Sequence, residues 1–356
     1  PLMDMDLGQQ ALATALLGVG ADLGFSPQES AKAMLAGGFA VQEFTRKTEE
    51  QGERLLASLK PGERVLVIIT RQYGISDPAL NMGIPDALLD RGQKVITVSH
   101  LHAHDLDIST DHPDMYWPFG QHMLSGAKLV RRDPRLFAVY LTNHGCGPDT
   151  MVSHLFAEEM GDKPYLQIEM DEHFSQVGVI TRIEAFLNSI DHWRGKDERA
   201  LPYALHPRGL NMGPARSGEA CVLPQIGLFG QVTAAWLRGR GFDVSPMRHT
   251  SESFRLGQRE LSSKEYYSFT SLLGMSLAAA QSSAGGRASA SDDGAAGCGD
   301  CPSARGGMRL LLPSSVGSDA DGQYVRAIRR VLDANGFASV GISAPKLERL
   351  PWEVAD

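Results

Sequence analysis

The sequence predicts an α/β fold in which two Rossmann-like, doubly wound parallel-sheet domains follow an N-terminal helical segment. Short apolar runs alternate with helical patterns from about residue 64 onward, which is typical of β-α-β repetition. The first run, residues 65–69, is apolar throughout, as expected for a strand buried on both faces. A chain of 356 residues also exceeds one ordinary core. We therefore place the helical segment at 1–60 and the α/β domains at 61–200 and 201–356.

The helical segment is predicted to contain two helices. Apolar residues recur at helical spacing within residues 11–17, and residues 27–59 are rich in Ala, Glu, Gln and Lys. Amphipathic helices of this kind usually form a wall or a dimer contact and carry no chemistry of their own.

The first α/β domain alternates strands and helices in a regular order. Strands are predicted at residues 65–69, 94–98, 136–141 and 165–168. Helices are predicted at residues 85–91, 121–132, 150–160 and 179–190. The alternation indicates a mainly parallel sheet.

A proline-containing segment, residues 196–217, is predicted to cross to the second domain. Strands are then predicted at residues 220–223, 242–244, 308–312 and 339–342. Helices are predicted at residues 226–240, 262–281 and 323–334. Residues 282–307 are dominated by Ser, Ala and Gly without an apolar period, so we expect a flexible insert there.

Composition excludes several classes of protein. The net charge is -8, and no basic patch with interleaved aromatic residues occurs, so nucleic-acid binding is not expected. No apolar run approaches the roughly 18 residues that span a bilayer, and no secretory signal is visible. Four cysteines are too few for a disulfide framework, which favours a reducing, cytoplasmic location. The start at Pro1 suggests a piece of a longer protein.

Cys146 is the leading candidate for chemistry. It lies between a predicted strand and a predicted helix, with Gly145 and Gly147 on either side. Glycines allow a bulky ligand to approach the backbone, and a helix N-terminus favours the thiolate form of cysteine, which binds metal or acts as a nucleophile. The alternative is a tight turn with an inert thiol.

Other candidates lie in the same loops beyond the strand ends, where open parallel sheets bind ligands. Cys298 and Cys301 have the spacing of half a metal site. The alternating histidines His100, His102 and His104 would share one face if extended, and could bind a divalent metal or simply form a polar loop. The acidic strand end supplies three candidate catalytic residues, which could instead only cap the next helix: Glu169, Asp171 and His173.

These residues, taken together, resemble a known group, the 2-hydroxyacyl-CoA dehydratase superfamily and in particular its acyl-CoA dehydratase activase-related proteins. One motif is Leu-Thr-Asn-His-Gly-Cys-Gly-Pro-Asp at residues 141–149, and the longest stretch of resemblance lies within residues 161–187. The resemblance covers most of residues 40–190 and is carried by residues 71–73, 77–85, 141–149, 161–166, 169–173 and 178–187.

The resemblance implies stacked Rossmann-like subdomains around a [4Fe-4S] cluster that receives low-potential electrons from an ATP-hydrolysing activase domain or protein. Nothing in the chain resembles that ATPase. The implied role is a cluster-carrying redox component acting on a CoA thioester, as a homodimer or heterodimer. The implied cofactor-binding residues are Cys146, Gly145, Gly147, Arg71, Tyr73 and Asn143.

The second half departs from the family pattern at two cysteine positions. Tyr266 and Asp319 stand where such proteins typically carry cysteine. Cys298 and Cys301 would restore a three-cysteine set with Cys146, and Asp319 or solvent would be the fourth metal ligand. The alternatives are a scaffold or interaction subunit that has lost the cluster, and a divalent-metal hydrolase built on the loop from His100 to His104.

Overall fold

A computed structural model describes residues 8–143, 145–171, 175–193, 219–261, 265–285, 307–315 and 320–345. These residues form two four-stranded sheets whose strands are all parallel, with helices against their faces and a helical segment before the first strand. The predicted fold class is therefore confirmed. The predicted crossing at 196–217 and most of the predicted insert lie outside the described residues.

The N-terminal segment is a helical hairpin of α1 (Gly8–Asp22) and α2 (Pro27–Ala57). Ser26 begins α2 with a capping box: its hydroxyl accepts from the Glu29 amide, and the Glu29 carboxylate accepts from the Ser26 amide. The far end of α2 lies against the first domain, where Gly52 packs on the carbonyl of His100.

The first sheet has the strand order β2-β1-β3-β4. Its strands are β1 (Val65–Ile69), β2 (Lys94–Thr97), β3 (Leu136–Asn143) and β4 (Leu166–Met170). Its helices are α3 (Gln72–Ser76), α4 (Ile84–Leu89), α5 (Pro118–Arg132), α6 (Gly147–Met160) and α7 (Gln176–His192). All five residues of β1 are buried, as its apolar run predicts for a central strand covered on both faces.

The second sheet repeats this order as β6-β5-β7-β8. Its strands are β5 (Ala220–Leu223), β6 (Asp243–Pro246), β7 (Met308–Leu311) and β8 (Gly341–Ser343). Its helices are α8 (Gly227–Gly239), α9 (Ser251–Glu260), α10 (Tyr267–Gly285) and α11 (Asp321–Ala334).

One predicted helix of the second domain was wrong in its bounds. Residues 262–281 were predicted as one helix, but the chain forms α9 before them and then α10. The α9 sequence is mostly polar and contains Gly257, a residue that disfavours helix. The first residues of the predicted insert, 282–285, belong to α10.

A single apolar cluster joins the two domains. It combines first-domain side chains such as Val67, Tyr140 and Phe156 with second-domain side chains such as Leu310 and Ile328. A separate cluster covers the opposite face of the first sheet. The faces alternate along β1 because successive strand residues point in opposite directions.

Polar contacts also cross between the domains. Arg326 Nε lies 3.1 Å from Asp114 Oδ2, and Arg330 is paired with Glu158 on α6. The α6 helix, which follows the loop of Cys146, therefore faces the second domain.

Within the described residues, none of the helices combines the length and the apolar character needed to cross a bilayer.

Candidate functional site

The candidate site lies at the carboxyl ends of β1 and β3. The chain winds from β1 to β2 on one side and then crosses to β3 on the other, so the two strands flank the topological switch point, where open α/β sheets bind ligands. Arg71 follows β1, Asn143 ends β3, and Cys146 is the N-cap residue of α6.

Asp149 organises the charged part of this site. Its side chain is only 2% exposed. Its Oδ1 accepts from Arg71 Nε at 2.7 Å, and its Oδ2 accepts from the Asn143 amide at 2.9 Å and from Asn143 Nδ2 at 3.1 Å. Burial opposes the charge on Arg71, but the Asp149 carboxylate outweighs it and raises the pKa of the guanidinium. The pair fixes the β1 and β3 loops relative to each other.

The Cys146 sulfur is held beside a positive charge. Arg71 Nη2 lies 2.9 Å from Cys146 Sγ, and the same guanidinium stacks over the ring of Phe119 at 4.2 Å. Gly145 has a φ of 66°, a left-handed conformation that favours glycine, and so it lets the chain turn from β3 into α6. Cys146 is partly exposed, so its sulfur remains accessible to solvent or a ligand.

Tyr73 completes the group. Asn143 Nδ2 donates to the Tyr73 hydroxyl at 2.7 Å, and burial raises the pKa of that hydroxyl. The structure thus brings together the six residues predicted to bind a cofactor, although their roles stay predictions: Arg71, Tyr73, Asn143, Gly145, Cys146 and Gly147.

The second domain reaches this site through Tyr266 and Glu265. A Cβ on Gly147 would overlap the Tyr266 hydroxyl, so the tyrosine lies directly against the residue after Cys146. Glu265 pairs with His154 on α6. Tyr266, which the resemblance places at a cysteine position, therefore lies against Gly147, the residue that follows Cys146; a shared site with Cys146 stays a prediction.

A polar pocket of about 320 Å³ adjoins the site. Asn143 and Asp149 line it together with Glu169 and Arg182. Glu169 reaches the pocket because it pairs in register with Thr142 on β3. Of the other two predicted catalytic residues, Asp171 does not line this pocket, and His173 lies outside the described residues.

The described residues do not fit a [4Fe-4S] cluster by themselves. Cys146 offers one sulfur, whereas a cluster needs about four ligands, mostly thiolates. The other described cysteine, Cys221, is buried in β5, where burial raises its pKa to about 11. The remaining predicted ligands, Cys298, Cys301 and Asp319, lie outside the described residues.

The predicted histidine face is divided in the structure. His100 turns toward the backbone, and its Nδ1 accepts from the Thr97 amide at 3.2 Å. His102 and His104 instead approach carboxylates of α2. The prediction that the three histidines share one face assumed an extended chain. Residues 98–100 instead form a 3₁₀ turn.

Sequence reasoning missed the partners that hold the site together. Asp149 carried a detectable signal, since an acidic residue in the first turn of a helix suits the helix dipole. Phe119, His154 and Glu265 carried none, because their contacts join segments far apart in the chain.

The fold and site define an α/β protein with two parallel sheets of the same strand order and a polar, cysteine-containing site at the first switch point. Residues 1–101 match the family model of a CoA enzyme activase uncharacterised domain (DUF2229). This segment, which contains the hairpin and the first two strands, is therefore similar to that domain. Neither the curated proteins nor the solved structures contain a match to the chain.

Proposed function

We propose that this chain is an interaction module of a CoA enzyme activase system and that its α1–α2 hairpin docks onto an ATP-hydrolysing activase domain. One observation carries the proposal. Large apolar side chains project into solvent from the middle of α2, with Leu35 at 64% and Phe39 at 67% exposure, and Val41 and Phe44 similarly exposed.

Such a surface is costly to leave in water. Burial of apolar area is favourable by about 25 cal/mol per Å². Leu35 and Phe39 are four residues apart and therefore lie on one face of α2, and exposed apolar patches mark interaction sites. Further along α2, the charges are already paired, as in Arg46 with Glu43 at 2.7 Å and Lys47 with Glu43 at 3.2 Å. An apolar centre bordered by paired charges resembles the anatomy of protein interfaces.

The family match supports an activase as the partner. The matched residues, 1–101, include the whole hairpin, and the family is described as a CoA enzyme activase uncharacterised domain. Tyr266 supports a role without a cluster, since the tyrosine side chain lies against Gly147 at the position where the family pattern has cysteine.

The experiment is a binding titration of the full chain with an ATP-hydrolysing CoA enzyme activase from the same organism. We expect Leu35→Ser combined with Phe39→Ser to weaken binding tenfold or more. Leu228→Ser, which removes an apolar side chain with 77% exposure from α8, is the matched control and should bind as wild type. Equal binding by all variants, or self-association of the chain with no activase binding, would overturn the proposal.

The second candidate is an iron–sulfur redox component that takes low-potential electrons from the activase. It is favoured by the partly exposed Cys146 sulfur at the switch point. Cys298, Cys301 and Asp319 would supply the other cluster ligands. Anaerobic reconstitution with iron and sulfide, followed by sulfide analysis and EPR, tests it. If wild type retains no more acid-labile sulfide than Cys146→Ser, the candidate fails.

A further inference from the structure

The far end of α2 and the loop after β2 bring carboxylates and imidazoles to one place. Glu49, His104 and Asp105 each offer a ligand atom, and these three atoms all lie within 4.8 Å of one another. Glu49 Oε1 is 3.3 Å from His104 Nε2, and Asp105 Oδ1 is 3.9 Å from the same nitrogen. The group is distinct from the Cys146 site, which uses none of these residues.

The spacing suits a metal ion. Donor atoms about 2.1 Å from a tetrahedral Zn²⁺ are about 3.4 Å apart. The 3.3 Å separation matches this value, and the 3.9 Å separation needs only a small movement of an exposed aspartate. One imidazole with two carboxylates is also a donor set that binds divalent transition metals in proteins.

Glu49 gives independent support. The residue is only 8% exposed, and its Oε1 is buried without a hydrogen bond in the described part of the chain. A buried carboxylate oxygen is normally hydrogen-bonded or paired, because its desolvation is otherwise unfavourable. Its nearest polar atoms are the nitrogens of His102 and His104 at 3.4 and 3.3 Å, which pair with it only when the imidazoles are protonated. When they are neutral, a cation bound between these atoms would satisfy the carboxylate.

Outer residues hold the ligands in place. His102 Nδ1 is hydrogen-bonded to Asp105 Oδ2 at 3.3 Å, and His102 Nε2 to Glu53 Oε1 at 2.9 Å. Metal sites commonly orient a ligating carboxylate through such a second hydrogen bond. The position of Glu49 is fixed because α2 packs tightly on the loop at Gly52.

We propose that Glu49, His104 and Asp105 bind a divalent transition metal ion, Zn²⁺ by preference over Mg²⁺, and that the ion fastens the α1–α2 hairpin to the first α/β domain. The imidazole ligand gives the preference for Zn²⁺. The ligands come from two elements separated by more than 50 residues, so the bound ion would link them across the hairpin's base. The site is independent of the proposed function.

The test uses the full chain with Cys298→Ser and Cys301→Ser, which removes the competing thiol pair, after treatment with EDTA. Calorimetric titration with ZnCl₂ should show one equivalent bound, and MgCl₂ should bind far more weakly. His104→Gln and Asp105→Asn should each weaken zinc binding tenfold or more. Glu43→Gln, on the same helix but away from the group, should bind as the parent does.

Thermal unfolding provides a second readout. Zn²⁺ should raise the Tm of the parent, because it binds the folded state, and at the same concentration should raise that of Asp105→Asn by less. Asp105 is exposed, so this variant should retain its fold, which circular dichroism checks. The proposal would be overturned if the parent bound no zinc, or if the His104 and Asp105 variants bound zinc as tightly as the parent.

Discussion

Arg71 neutralises a carboxylate that has almost no access to water. Asp149 is 2% exposed, and its charge is balanced by the guanidinium at 2.7 Å and by the Asn143 amide. Removing one partner of such a pair leaves a buried charge without compensation, which costs far more than the loss of an exposed ion pair.

We therefore expect Arg71→Gln to lower the free energy of unfolding by about 3 kcal/mol. The matched control is Arg46→Gln, which breaks an exposed ion pair with Glu43 and should change the free energy of unfolding far less. Urea denaturation of the two variants and wild type measures the difference. Equal effects in the two variants would show that the Asp149 pair contributes no special stability.

Burial of His122 makes stability depend on pH. Burial, and then the nearby His104, lower the pKa of His122, and its Nε2 is buried without a hydrogen bond among the described residues. As the pH falls through about 6.5, the histidine therefore takes up a proton in the unfolded chain before it does so in the folded protein. The free energy of unfolding declines as a result. Burial also lowers the pKa of His112 and His100, which adds to the loss of stability at low pH. The hydrogen bond to Glu53 raises the pKa of His102, which reduces that loss.

Between pH 7.5 and 5.5, we expect the free energy of unfolding to fall less in His122→Gln than in wild type. Glutamine cannot take up a proton when the chain unfolds, so the contribution of this position to the pH dependence is lost. His192→Gln, which changes an exposed histidine on α7, is the control and should follow wild type. Urea denaturation in EDTA at several pH values gives the slopes and excludes metal binding. An unchanged slope in His122→Gln would contradict the assignment.

At the scale of elements, α9 and α10 pack with their backbones in contact. A Cβ on Gly274 would overlap the carbonyl of Ser253, and one on Gly257 would overlap the carbonyl of Thr270. The close approach of the two helices therefore requires glycine at both positions. Helix α10 begins at Tyr267, directly after Tyr266, which contacts Gly147.

Gly274→Ala should therefore destabilise the protein by about 2 kcal/mol, because two backbones must separate. Gly37→Ala is the matched control in α2, where a Cβ meets nothing within 4 Å. There the same substitution should stabilise by about 0.5–1 kcal/mol through helix propensity. Differential scanning calorimetry distinguishes the opposite signs, and two shifts of the same sign would refute this packing.

At the scale of the whole molecule, the two sheets share one apolar cluster and several ion pairs. The cluster runs from β1 and α6 to β7 and α11, and Arg330 meets Glu158 across the same contact. Separating the domains would expose this apolar surface to water, which is unfavourable.

We expect the domains to unfold in one cooperative transition. Two variants test this, one retaining Trp117 of the first domain as its only tryptophan and the other retaining Trp236 of the second. Their fluorescence midpoints in urea should coincide, and Arg330→Met should lower both together. Two separate midpoints would indicate independent domains.

The sequence predicted most of the fold because its signals are local. The apolar run of β1 and the alternation of strands with helices require only neighbouring residues to recognise. Helix α9 was not predicted. Its sequence is mostly polar, and its buried residues, Ser253 and Gly257, are buried only because α10 lies against them. Tertiary packing overrides weak local propensity in such helices.

By itself, the sequence determined the α/β class, the helical N-terminal segment and the location of Cys146 between a strand and a helix, since each follows from local periodicity and turn chemistry. Only the tertiary structure decided what surrounds that cysteine. Arg71 and Tyr266 lie 75 residues before it and 120 residues after it, and their contacts depend on strand order and domain packing. The same holds for Glu49 and His104, whose proximity arises where α2 crosses the first domain.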